Sequence, residues 1–210
     1  QDIFMTIDAI VFDIGNVLLE WHPERFYDTQ IGPDRRRALF AEVDIHGMNL
    51  NVDRGHDWRS SVYALADQHP EWQDEIRQWH DSWQQLAAPE IPHSTRLLRA
   101  LKSTGTPVFA LSNIGIETFE IACKSYPVLN EFDRSYVSGY MQTLKPEAEI
   151  YARLEADCGV APGHLLFADD RVENTEAAEA RGWRTHLFTT PDGWANRLVR
   201  EGLLTDEQAK

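Results

Sequence analysis

Basic residues are scarce in this chain: 20 lysines and arginines stand against 34 aspartates and glutamates, a formal net charge of −14. Such a balance repels polyanions, so neither nucleic acid nor an anionic membrane surface is expected as a partner. It also sets a condition on any anionic substrate, which would need a local positive centre. Cysteine is nearly absent. Cys123 and Cys158 lie far apart, share no metal-ligand spacing and are too few for a disulfide framework, so a reducing, cytoplasmic setting is expected. No window approaches the roughly 18 consecutive apolar residues of a membrane span, and the N-terminus shows neither the basic start nor the long apolar core of a signal peptide. Gln1 to Phe4, ahead of Met5, reads either as an expression remnant or as a genuine extension. Internal repeats and low-complexity segments are also missing.

What is present suffices for a globular fold. With 210 residues and 42% hydrophobic content, the chain fits one large α/β domain, or a core with a smaller inserted domain. "AIVFD" reads as a short buried strand. From about Pro23 to Pro89 the character is helical, with "PERFYDTQ", "PDRRRALFAEV", "DWRSSVYALADQH" and "EWQDEIRQWHDSWQQLA" separated by Gly, Asn or Pro. That block contains Trp58, Trp72, Trp79 and Trp83, whose spacing fits a bundle core better than a binding surface. Beyond Pro89 the rhythm changes. A helix at "HSTRLLRALKSTG", closed by Gly105, leads to a second buried strand, "PVFALSN". A helix near "IETFEIACKSY", an extended piece "RSYVSGYMQ" and a helix opened at Pro146 precede a third strand, "HLLFADD". Helix "ENTEAAEARG", a strand near "THLF" and helix "GWANRLVREGLL" complete the chain. Alternation of this kind predicts a doubly wound parallel sheet, with the all-helical block inserted after the first strand.

In an open parallel sheet the carboxyl ends of neighbouring strands converge on one crevice. Asp13 closes the first strand, Ser112 and Asn113 the second, Asp169 and Asp170 the third, and Lys145 precedes a helix between the last two. Taken singly, each has an ordinary reading: Ser112 as a turn residue, Lys145 as a solvated cation, Asp169 and Asp170 as helix caps. Their joint placement points to chemistry. Acids forced together raise one another's pKa unless a cation sits among them. A hard divalent metal held by oxygen ligands is the natural remedy, and magnesium, with few protein ligands and several waters, fits best.

The segments "FDIGNVLLEW", "ALSNIG", "TLKPEAEIY" and "FADDRVENTEAAEARGW" resemble, in order and spacing, the four motifs of the haloacid dehalogenase (HAD) superfamily, in the branch whose helical cap follows the first strand. Within it, the Gly-Asn-Val after Asp13, the "SN" and the "KPEAEIY" look closest to the bacterial α-D-glucose-1-phosphate phosphatase type. The resemblance implies a HAD-like, Rossmannoid core over residues 5–19 and 91–210 and a cap over 20–90. It implies Asp13 as a nucleophile that forms an aspartyl-phosphate. Magnesium would sit between Asp13, the Gly15 carbonyl and Asp170, with Asp169 binding directly or through water. Ser112 and the Asn113 amide would hold phosphoryl oxygens, and Lys145 would neutralise both Asp13 and the substrate. Asn174 would orient Asp170 or a metal-bound water. The partner would be a small phosphorylated metabolite, with a sugar phosphate such as glucose-1-phosphate as the example.

One position departs from the pattern. Most phosphatases of this superfamily carry a second aspartate two residues after the nucleophile, to protonate the leaving oxygen and later activate water; here that position is Gly15. General acid–base catalysis is worth about 100- to 10,000-fold. Three readings follow: a phosphatase helped by a good leaving group or by a proton donor from the cap, with His22 and His46 as candidates; a 2-haloacid dehalogenase, whose departing halide needs no proton; or a non-catalytic binding protein. The first is preferred, because a dehalogenase has no use for the "DD" at Asp169 and Asp170. For substrate contacts the sequence offers Glu20, Trp21 and His22 at one cap hinge, Ile91 to His93 at the other, and Arg54 as a phosphate or sugar contact, although Arg54 reads more readily as a solvated loop residue.

Overall fold

The computed structural model describes residues 6–210; the question of Gln1 to Phe4 and the expected core boundary at residue 5 lie outside the described residues. Five strands form one sheet in the order β3-β2-β1-β4-β5, all pairings parallel: β1 (Ala9–Phe12), β2 (Val108–Ser112), β3 (Arg134–Val137), β4 (Leu165–Asp169) and β5 (Arg184–Leu187). β1, β2 and β4 are buried along their whole length, which is why each reads as a continuous apolar run rather than an alternating one. Period-two geometry then divides them between two layers. Ile10, Phe12, Val108, Ala110, Leu166 and Ala168 face one apolar cluster, while Ala9, Val11, Phe109, Leu111, Leu165 and Phe167 face the other.

Six α-helices fall between β1 and Pro89: α1 (Pro23–Ile31), α2 (Pro33–Glu42), α3 (Ile45–Asp53), α4 (Trp58–Gln68), α5 (Gln73–Asp81) and the short α6 (Trp83–Leu86). The chain enters and leaves this block through paired segments: Glu20 N–H donates to the Pro89 carbonyl at 2.9 Å, and Ile91 N–H to the Leu18 carbonyl at 2.7 Å. Trp58, Trp72 and Trp79 are buried, as their spacing predicts, whereas Trp83, also buried, lines the cavity described below. The block has no separate core. Its apolar residues belong to the same cluster as Ile10 and Phe12.

The remaining helices are α7 (Pro92–Ser103), α8 (Ile116–Ser125), α9 (Ser138–Met141), α10 (Ala148–Cys158), α11 (Val172–Glu179) and α12 (Pro191–Arg200). Three local expectations are corrected. The extended piece "RSYVSGYMQ" is strand only to Val137 and then turns into α9. α10 starts at Ala148, two residues past Pro146, with Glu147 as its N-cap residue. α3 is absent from the expected set altogether: Gly47, Asn49 and Asn51 dilute its pattern, yet Asp44 caps it by accepting from Gly47 N–H at 2.9 Å, and Ile45, Met48 and Val52 anchor it. No helix of the described residues is long and apolar enough to cross a membrane.

Candidate active site

β1 and β4 end side by side, with Phe12 in register with Ala168 and Asp13 N–H bonded to the Ala168 carbonyl. This pairing brings Asp13 level with Asp169. Between them lies Lys145, whose Nζ stands 2.9 Å from Asp13 Oδ1 and 2.6 Å from Asp169 Oδ2 and also donates to the Leu111 carbonyl at 2.9 Å. A lysine just before a proline is therefore no solvated cation here: its side chain is 1% exposed. Two reciprocal bonds hold its backbone in place: Lys145 N–H donates to Asn113 Oδ1 and Asn113 Nδ2 to the Lys145 carbonyl. The Asn113 side chain is thus committed to Lys145, which leaves its backbone amide as the group for an incoming anion.

Asp13, Asp169 and Asp170 each bring a carboxylate oxygen within 4.8 Å of the others. The three are not equivalent. Asp169 is fully buried and accepts from Lys145, from Asn174 Nδ2 at 3.0 and 3.1 Å and from Arg171 N–H at 2.8 Å. Asp170 faces the cavity, where Asn16 Nδ2 donates to it at 3.2 Å. Of the two partners expected for Asn174, Asp170 or a metal-bound water, Asp170 is not the one it bonds: its Nδ2 donates to Asp169 instead. The Asn174 carbonyl in turn accepts from the Tyr151 hydroxyl at 2.9 Å.

Burial pushes the Asp13 carboxyl above the usual carboxylate range; Lys145 pulls it down and Asp169 pushes it up again. Asp170 is raised for the same two reasons, burial first and Asp169 second, with Asn16 opposing. Burial disfavours the Lys145 ammonium, but Asp13 and Asp169 outweigh it and the group stays charged. One ammonium among three acids leaves an excess of negative charge. All-oxygen donors with that excess suit a hard divalent cation.

These groups line a cavity of about 600 Å³, the scale of a small-molecule site. Asp13, Ser112, Asn113, Lys145 and Asp170 line it at the strand ends, and Leu19, Trp21, Leu50 and Trp83 add apolar lining. Of the other sequence candidates, Gly15, Glu20, His46 and Asn174 also reach it. His22 does not; it lies outside, exposed, with Nε2 3.9 Å from Glu20. Ile91 to His93 are also absent from the lining, and His93 Nε2 instead contacts the Ala209 carbonyl at 2.8 Å. Arg54 is neither a ligand contact nor a free loop residue, since both its terminal nitrogens bond to Glu147.

Asn16, Asn49 and Asp53 are among the lining residues that escaped the sequence reading. Asn16 sits at φ +57°, the left-handed region an asparagine tolerates, and spans Asp170 and the Trp21 amide. Its signal was the Gly-Asn pair after Asp13. Asn49 and Asp53 ride on α3, and the capping Asp44 ahead of Ile45, Met48 and Val52 was the pattern that marks that helix.

The model of the haloacid dehalogenase-like hydrolases matches residues 7–182. The chain belongs to that family. This HAD-like hydrolase is 26% identical over 180 residues to the sesquiterpene phosphatase astK of Aspergillus oryzae, covering 84% of this chain and 87% of that protein. It is 28% identical over 207 residues to enolase-phosphatase E1 of Marinobacter nauticus, covering 95% of this chain and 65% of that longer protein. Among solved structures, HAD family enzyme bt-2542 of Bacteroides thetaiotaomicron superposes with a TM-score of 0.74 at 24% identity, over 92% of this chain and 98% of that one. Its complex with magnesium and inorganic phosphate superposes at 0.68, over 87% and 94%. At that identity the likeness is one of fold.

Proposed function

We propose that this HAD-like hydrolase is a magnesium-dependent phosphatase of small organic phosphate monoesters, with Asp13 as nucleophile and residues 20–90 as the cap over its cavity. The observation that carries the reading is Lys145 buried between Asp13 and Asp169, with Asp170 alongside facing the cavity. An acid nucleophile, a fixed cation and an oxygen-only ligand set at one end of a sheet are what phosphoryl transfer from a monoester requires. Asp13, Asp170 and the Gly15 carbonyl would hold magnesium; Asp169, already taken up by Lys145 and Asn174, would support the site from behind. When bound, magnesium neutralises the acids and polarises the phosphoryl oxygens. Ser112 and the Asn113 amide hold those oxygens, and Lys145 offsets their charge. Asp13 attacks phosphorus, the bond to the leaving oxygen breaks, and water then cleaves the aspartyl-phosphate.

Two of the relatives named above are phosphatases, one structural neighbour holds magnesium with phosphate, and both facts support the reading. Glucose-1-phosphate itself has no support in either. The lining by Trp21, Leu50 and Trp83 suits an organic portion with apolar surface. Gly15 keeps dehalogenation at carbon as the second reading. The deciding assay is phosphate release from p-nitrophenyl phosphate with magnesium or with EDTA, run beside halide release from 2-chloropropionate. Release that needs magnesium and falls to background in Asp13→Asn is expected; halide release in EDTA, or phosphate release indifferent to Asp13→Asn, contradicts the proposal.

A further inference from the structure

Gly15 leaves the reaction without its customary proton donor, and the cavity lining contains a carboxyl with no assigned task. Asp53 closes α3 and lines the same cavity as Asp13 and Gly15. Its backbone is pinned to the loop that follows β2: Ser138 Oγ donates to the Asp53 carbonyl and accepts from Ile114 N–H at 2.9 Å. That loop begins at Asn113, directly after Ser112, so the pin sets Asp53 beside the segment that would hold the phosphoryl oxygens. On the side chain, Asn49 Nδ2 donates to Oδ2 at 3.2 Å, and Asn49 is itself oriented by Trp79 Nε1 at 2.9 Å. Among the described residues no lysine, arginine or histidine pairs with it. Burial pushes the carboxyl up to about 7, with only the Gly115 backbone amide pulling it down. The charged and titratable groups sharing the cavity are Asp13, Glu20, His46, Lys145, Asp170 and Arg171.

We propose that Asp53 is the general acid and base of this active site, taking from the helical block the role that Gly15 cannot fill. The inference rests on the phosphatase reading. In the first step Asp13 Oδ bonds to phosphorus, the bond from phosphorus to the ester oxygen breaks, and the Asp53 proton passes to that oxygen, releasing the alcohol. In the second, water oxygen bonds to phosphorus, its proton returns to the Asp53 carboxylate, and the bond to Asp13 breaks, releasing phosphate. The proton count closes over the cycle.

The test compares the full-length protein with Asp53→Asn, in magnesium, on p-nitrophenyl phosphate and on glycerol phosphate. A proton donor matters most to the poor leaving group. Asp53→Asn is expected to lower kcat on glycerol phosphate by about 100-fold or more, to lower it less than about 10-fold on p-nitrophenyl phosphate, and to remove the fall in kcat above neutral pH. A Cβ at Gly15 would meet only Trp21 Cβ at 3.8 Å, so there is room for a side chain, and Gly15→Asp is expected to restore part of the lost rate. Equal losses on both esters, or an unchanged pH profile, overturn the role. Independently of turnover, a carboxyl ¹³C NMR titration of the magnesium-loaded protein, assigned with Asp53→Asn, should give a midpoint near 7. A midpoint below about 5, near the ordinary carboxylate range, overturns the role even if the protein is a phosphatase. If no monoester is hydrolysed in magnesium, the phosphatase reading fails and this role fails with it.

Discussion

At the scale of single residues, Lys145 is the one on which the site depends. Its ammonium is the single cation between Asp13 and Asp169, and both partners are nearly or fully buried. Breaking a buried pair by removing one member leaves charge uncompensated and costs about 3–5 kcal/mol. Lys145→Met should therefore lose stability of that order in urea denaturation with EDTA present, and regain part of it in millimolar magnesium. A loss below about 1 kcal/mol would mean that the acids do not depend on the ammonium. Asn16 and Asn174 divide the acids between them, one holding Asp170 toward the cavity and the other holding Asp169 away from it. That division explains how two adjacent aspartates take different tasks.

At the scale of elements, the buried strands were the most legible part of the chain. "AIVFD", "PVFALSN" and "HLLFADD" are apolar throughout because both faces of a central parallel strand are covered, and each ends in a polar residue because its carboxyl end opens on the crevice. α3 was illegible for the opposite reason. Half-exposed and rich in asparagine, it buries only Ile45, Met48 and Val52, and it took Asn49 and Asp53 out of view with it. Nor could local pattern reveal that Arg54 finds Glu147, a partner 93 residues away. β5 and α12 carry a separate pH effect. His186 lies tilted on Trp194 with ring centroids 5.1 Å apart, and burial, then Arg197 and Arg200, depress its pKa to about 4. Between pH 6.5 and 4 the unfolded chain binds a proton that the folded one refuses. Stability from this site is therefore complete above 6.5 and is lost as pH falls to 4. His186→Phe should flatten the dependence of urea midpoint on pH across that window; an unchanged slope would assign the acid sensitivity elsewhere.

Across the whole molecule, the helical block and the sheet share one apolar cluster, and the cavity lies where they meet. The Arg54–Glu147 pair ties them at the surface, and Arg54 holds the Glu147 carboxyl down to about 2. Both side chains are well exposed, so solvent screening leaves this pair little weight in stability. The net charge of −14 acts at longer range. A dianionic monoester approaches against a repulsive field and is received by one buried ammonium. At fixed free magnesium, kcat/KM should therefore rise as ionic strength goes from about 10 mM to 150 mM, because the screening length shortens from about 30 Å to about 8 Å. A fall over that range would place a stronger attractive field at the cavity mouth than the acidic surface suggests.

All of this turns on Asp13 attacking phosphorus beside a bound cation. Acid quenching of the magnesium-loaded protein during turnover of a ³²P-labelled monoester, followed by peptide mapping, tests that claim most directly. The account predicts a hydroxylamine-labile phosphoryl group on the peptide containing Asp13, absent in EDTA and in Asp13→Asn. Phosphate release with no label on that peptide, or with label on any other residue, would contradict it.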